Sequence, residues 1–198
     1  MNADCCRSLG SAGTHWLRRR RSVSTLESPI LLLGLPGFAL AVTVLGLRPT
    51  RRRLSGALVG GAVVAGLNVL VDVGAHRLGW WWYPSVSTSY GPPWFYVATG
   101  LWYGAGVALI GWRMLRRFGR AGLGVLLAFM AIYGPVRDYL GAAVTGEIVF
   151  GPGFSPVLAD AMSWVTLTAV GQAVMWCLAG PSQADHLARP LLTRHRVS

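Results

Sequence analysis

Five apolar runs, separated by basic or polar segments, set the pattern of this chain. They cover Ile30–Leu47, Leu54 to about Leu78, about Trp94–Trp112, Leu123 to about Val144, and about Val157–Ala179. A hydrocarbon core about 30 Å thick takes roughly 20 residues of helix, a length that the last four runs reach or approach. The first run is shorter and is interrupted by Pro36-Gly37. The pattern predicts an all-α fold: a polytopic integral membrane helix bundle with four transmembrane helices plus one N-terminal apolar segment. There are five transmembrane helices if that segment also crosses. Residues 1–28 read as a basic disordered tail, 29–180 as the transmembrane domain and 181–198 as a basic C-terminal tail.

Within the second run, Gly56 and Gly60 form a GxxxG pair, extended by Ala57, Gly61 and Ala65; Gly100 and Gly104 repeat the spacing in the third. Small faces of this kind let helix backbones approach closely. The fourth run carries Pro135 just before Arg137 and Asp138, which predicts a broken helix with backbone acceptors freed near two charged side chains.

Composition strengthens the membrane assignment. Charged residues make up 13% of the chain, about half the share found in soluble domains. The net charge of +11 comes from arginine alone, since the chain has no lysine. A basic excess could point to nucleic acid, but these arginines cluster between apolar runs, as in cytoplasmic loops. The expected partner is the lipid bilayer and no nucleic acid. The three cysteines form no disulfide framework and show no zinc spacing.

Basic segments at 48–53, 113–120 and the C-terminal tail alternate with segments 79–93 and 145–156, which hold no basic residue. The alternation predicts a multi-pass protein of the cell membrane with its C-terminus cytoplasmic. Arginines flank the first run on both sides, leaving three readings: a crossing with the tail outside, a re-entrant hairpin, or a cleaved signal ending near Ala39-Leu40-Ala41.

That topology gathers the ionisable residues. Asp72 and His76 fall in the outer half of run two, Arg137 and Asp138 in the outer half of run four, and Asp160 near the outer start of run five. Asn68, Asp72 and His76 follow at i, i+4 and i+8, on one side of a helix. Each Asp or Arg at the membrane centre costs roughly 2.5–3.5 kcal/mol, so such groups should turn inward and pair, or line a wet cavity. The candidate catalytic residues are Asp72, His76, Asp138 and Asp160, with His76 held by Asp72 to move protons. The candidate ligand-contacting residues are Asn68, Arg137, Glu147, Trp82 and Tyr83, with Arg137 suited to clamping an anion.

Three uses compete for this cluster: an ion-pair network that fixes helix packing, an acid–base site, and a divalent metal bound by His76 with Asp72, Asp138, Asp160 or Glu147. One histidine and a nearby arginine argue against the metal, and no cofactor is indicated. The aromatic block Trp80-Trp81-Trp82-Tyr83, with Tyr90, Trp94, Phe95 and Tyr96, reads first as interfacial anchoring and second as the roof of a lipid-gripping groove. Walker, Rossmann, HExxH and nucleophile-elbow motifs are absent. Pro152-Gly153 followed by Asp160 and Gly171 is similar in spacing to a segment of VanZ-like membrane proteins. Phe154 stands where that pattern has arginine and its acidic motif is missing, so no family is assigned. The functional expectation is an enzyme or binding protein for an amphipathic lipid or isoprenoid-like ligand at the outer leaflet. The alternative is a non-catalytic subunit or scaffold.

Overall fold

Seen in a computed structural model, which describes residues 27–181 (side chains from Gly34 onward), the chain is mostly helical. The two tails expected from the sequence lie almost wholly outside the described residues. Helix α1 spans Glu27–Leu47 and α2 spans Arg51–Arg77. A short α3, Pro93–Ala98, runs without interruption into a π-helical segment, Thr99–Gly106, and then into α4, Val107–Thr145. Helix α5, Ser155–Ala179, completes the bundle. Among the described residues, one pair of two-residue strands, β1 (Trp81–Trp82) and β2 (Val149–Phe150), is the exception to the all-α expectation.

Among the described residues, three helices are long and apolar enough to cross a membrane: Arg51–Arg77, the continuous Pro93–Thr145 unit, and Ser155–Ala179. The third and fourth apolar runs form two helices within this unit, joined across a kink. The unit reverses at Gly119, whose φ of 62° and ψ of −149° are not helical. Glycine tolerates this conformation because it lacks a Cβ. Beyond the reversal the chain folds back on itself, so that Val107, Leu126 and Met130 share one buried cluster.

Two further expectations are corrected. Helix α1 continues through Pro36 as one helix, so the segment is not the re-entrant hairpin. Helix α4 likewise continues through Pro135, which is buried within it. Proline removes a single amide donor, and the packed surroundings keep the turn helical. The irregular backbone lies elsewhere, in the π-helical segment and at Gly119.

The small-residue faces do pack closely. A methyl on Gly60 would lie 2.9 Å from the Gly171 carbonyl oxygen of α5, and one on Gly56 would lie 3.3 Å from Ala179 Cβ. Gly61 faces the π-helical segment, where a side chain would overlap the Gly100 carbonyl, and Gly104 meets the Gly61 backbone in return. Helix α2 is therefore the central strut, packed on α5 along one side and on the π-helical segment along the other.

Arginines join the helix ends. Thr50 caps α2 by accepting from the Arg53 amide at 3.2 Å. The Arg53 side chain, 1% exposed, donates to the carbonyls of Gly180 (2.8 Å) and Pro181 (3.2 Å), and Arg52 Nε donates to Leu178 O at 3.2 Å. These bonds satisfy carbonyls that the end of α5 leaves without helical partners, and the cations suit its negative dipole end. At the opposite end, β1 pairs antiparallel with β2, Trp81 opposite Phe150 and Trp82 opposite Val149, tying the segments after α2 and after α4 into one cover.

Candidate functional site

The cover closes over a small chamber of about 50 Å³ between α2, α4 and α5. Asp72 from α2, Arg137 and Asp138 from α4, and Asp160 from α5 all line it. The scattered ionisable residues thus share one place in the fold.

Asp72 is 3% exposed and fully engaged. Trp81 Nε1 donates to its Oδ1 at 3.0 Å, while the hydroxyls of Tyr83 (2.9 Å) and Tyr96 (2.5 Å) donate to Oδ2. Tyr96 Oη in turn accepts from the Gly91 amide at 2.8 Å. Burial, and then the charge of Asp72, push the Tyr83 phenol well above its ordinary value, so it remains a donor. The local chain explains the arrangement. Along an extended segment alternate side chains point the same way, so Trp81 and Tyr83 turn inward together while Trp82 turns outward, 37% exposed. The aromatic block is therefore more than an interfacial belt, because three of its members solvate a buried carboxylate.

On α4, Arg137 Nη1 donates to Asp138 Oδ1, and the guanidinium lies 5.0 Å from the Tyr103 ring centroid. Trp164 Nε1 donates to the other Asp138 oxygen at 2.8 Å. Gly134 permits this contact: a methyl there would overlap the indole of Trp164. Asp160 is 5% exposed and its Oδ2 has no hydrogen-bond partner. Buried polar atoms are rarely left so.

A second chamber of about 380 Å³ adjoins the first and shares Tyr83, Phe95, Arg137, Asp138 and Ile148 with it. Glu147, Ser85 and Thr145 supply its remaining polar lining, with Trp94, Val86 and Ala142 among the apolar walls. The inner space takes only a few water molecules, whereas the outer one is in the size range of small-molecule sites.

Not all of the sequence candidates meet here. Asn68 is half-buried and lines the inner chamber. His76 is exposed on the last turn of α2 and lines neither chamber, so the expected Asp72–His76 pair does not form. A step of four residues advances the helix by about 40° beyond a full turn, and this carries His76 off the packed face that Ala75 occupies. Trp82 lies outside both chambers as well. Sequence reasoning passed over Trp81, Tyr96, Tyr103 and Trp164 as site residues; alternation along 81–83 was the one signal for the first.

Among the described residues, no group of three or more His, Cys, Asp or Glu is placed to hold a metal ion. Comparison with known proteins finds no matching family model, no matching curated protein and no matching solved structure.

Proposed function

We propose that this protein crosses the cell membrane with four helices, α1 forming a fifth, shorter crossing, and binds the polar end of an amphipathic ligand at its outer end. The two limbs of the Pro93–Thr145 unit count as separate crossings, which brings the basic segments 48–53 and 113–120 to the cytoplasmic side. The ligand is a lipid or isoprenoid-like molecule, held in the outer chamber with its head toward Arg137, Asp138 and Asp160.

The single observation that carries this reading is the unpartnered Oδ2 of buried Asp160 in the inner chamber, which shares Arg137 and Asp138 with an outer chamber large enough for a ligand. The charges that line the two chambers narrow the head group. Four carboxyl groups (Asp72, Asp138, Glu147, Asp160) accompany one guanidinium, which Asp138 already engages. That balance favours a head that donates hydrogen bonds, a hydroxyl or an amine, over a phosphate. Asp160 accepts the donor, Arg137 orients it, and the same carboxylate can take a proton if the bound group reacts.

The scaffold reading draws on Asp72, whose oxygens are already occupied by three donors. We assign Asp72 to holding the cover in place and Asp160 to the ligand. The test is to purify the protein from its native membrane, extract what remains bound, and compare wild type with Asp160→Asn by mass spectrometry. A lipid-soluble hydroxyl or amine compound enriched with wild type and lost from the variant at equal protein abundance is the expected result. Identical extracts from the two proteins would refute the ligand reading and leave the scaffold.

A further inference from the structure

Between the two limbs of the Pro93–Thr145 unit, the space around the chambers continues toward the bilayer interior. On the second limb, Thr145, Gly141 and Arg137 line the outer chamber, while Tyr133, Phe129 and Val125 line a groove of about 470 Å³. These six positions follow at steps of four and form one ridge winding along the helix. The first limb shows the same succession. Phe95 and Thr99 line the inner chamber, and Val107, Ile110 and Met114 line the groove. Tyr103 lines both, and its ring lies 5.0 Å from the Arg137 guanidinium. Inner chamber and groove thus share a wall.

The groove is graded along its length. Its polar atoms belong to Trp102, Tyr103 and Tyr133, at the end nearest Arg137, and the rest of its lining is apolar. Val107, Leu126 and Met130 are buried and form the floor, whereas Val125 and Phe129 are exposed and form one lip. Phe129 stacks on Tyr133 with ring centroids 5.2 Å apart, which stiffens that lip. From Tyr133 to Val125 the helix rises about 12 Å.

We infer that this groove holds the hydrocarbon chain of the ligand whose head enters the chambers, an inference that rests on the ligand reading above. A head turned toward Arg137 and Asp160 starts the chain beside Tyr103 and Tyr133. From there the apolar wall leads away from the outer face, toward the reversal at Gly119. One groove leaves the head site between these limbs, so it suits a single-chain alcohol or amine better than a two-chain glycerolipid. Any membrane chain could wet an apolar groove. The shared wall at Tyr103 and the unbroken ridge through Arg137 tie this one to the head site.

The test is photocrosslinking of the full-length protein in nanodiscs, with a long-chain primary alcohol carrying a diazirine at mid-chain, read by peptide mass spectrometry. Label on residues 107–114 and 125–130, removed by excess unlabelled alcohol, is the expected result. Asp160→Asn should reduce it about tenfold, the loss of one hydrogen bond to a charged acceptor. Leu126→Trp, which fills the floor, should reduce it severalfold, and Val125→Trp, at the exposed lip, repeats the block without disturbing the packed interior. Competed, Asp160-dependent label found elsewhere would overturn the groove and leave the ligand reading standing. Groove label that neither unlabelled alcohol nor Asp160→Asn reduces would assign the groove to bulk lipid and overturn the inference. Label independent of Asp160 at every position would overturn the ligand reading itself, and this inference with it.

Discussion

Replacing Asp72 by alanine is expected to strip three buried donors of their common acceptor. Trp81 Nε1, Tyr83 Oη and Tyr96 Oη all point at this carboxylate from 3.0, 2.9 and 2.5 Å. A buried donor left unsatisfied costs about 1–3 kcal/mol, so three place the loss on the order of 3–9 kcal/mol. Waters admitted to the adjoining chamber will relieve part of it, which makes about 3 kcal/mol the reasonable floor. That is a large fraction of a typical total stability of about 5–15 kcal/mol. For a protein of this size each kcal/mol moves the midpoint by about 2–4 °C, so the Tm should fall by about 6–12 °C or more. Asp72→Asn keeps the shape and one acceptor oxygen, and its midpoint should lie between those of wild type and Asp72→Ala. The assay is thermal unfolding in detergent micelles followed by tryptophan fluorescence, with hydrogen exchange of residues 79–93 reporting whether the cover loosens first. An Asp72→Ala midpoint within about 2 °C of wild type would refute the reasoning, because a loss of about 3 kcal/mol leaves no room for it. An asparagine variant as damaged as the alanine one would show that the charge, rather than the acceptor atoms, holds the cover.

Three further substitutions test other parts of the structure. His76→Ala should change stability by no more than about 0.5 kcal/mol, as expected of an exposed residue without a structural role, and the same denaturation assay checks it. Gly134→Ala should displace the Trp164 ring and break its bond to Asp138, costing about 1–3 kcal/mol by overpacking, with a changed near-UV circular dichroism signal as the readout. Gly61→Ala should separate α2 from the π-helical segment and lower the yield of folded, monodisperse protein on size exclusion; normal yield with unchanged Tm would contradict the packing described above.

The meeting of the carboxylates was legible because the charge pattern relates distant parts of the chain. The arginine segments at 48–53 and 113–120 and their absence from 79–93 and 145–156 were enough to bring Asp72, Asp138 and Asp160 to one end. Glycine spacing told which helix faces meet, since only small residues allow Gly60 to approach Gly171 and Gly61 to approach Gly100. The partners of those carboxylates were not legible. Tryptophan and tyrosine beside an apolar run have the same composition whether they anchor in the interface or donate to a buried acid. The choice depends on β1 finding β2, a pairing between segments far apart in sequence and only two residues long. His76 shows the converse error. Spacing of i, i+4 guarantees a shared helix face in isolation, but which part of that face is covered depends on neighbours the helix does not encode. Pro135 misled in the same way, because its effect on the helix is decided by the packing around Gly134 and Trp164.

The cost of buried charge, used to argue that these acids must be partnered, also separates their roles. Three such groups facing lipid would cost on the order of 10 kcal/mol, and the fold avoids that cost differently at each position. Asp72 is relieved by three neutral donors, which hold a fixed geometry and leave its oxygens nothing to offer a ligand. Asp138 is relieved by Arg137 and by Trp164, so its charge is balanced but its neighbour stays at the chamber wall. Asp160 keeps an oxygen with no donor, while the indoles and phenols nearby are engaged by Asp72 and Asp138. On the reading proposed above, the donor for that acceptor comes from a bound ligand. The difference between Asp72→Asn, which should cost stability, and Asp160→Asn, which should cost only the ligand, is therefore the measurement on which the assignment of the outer chamber turns.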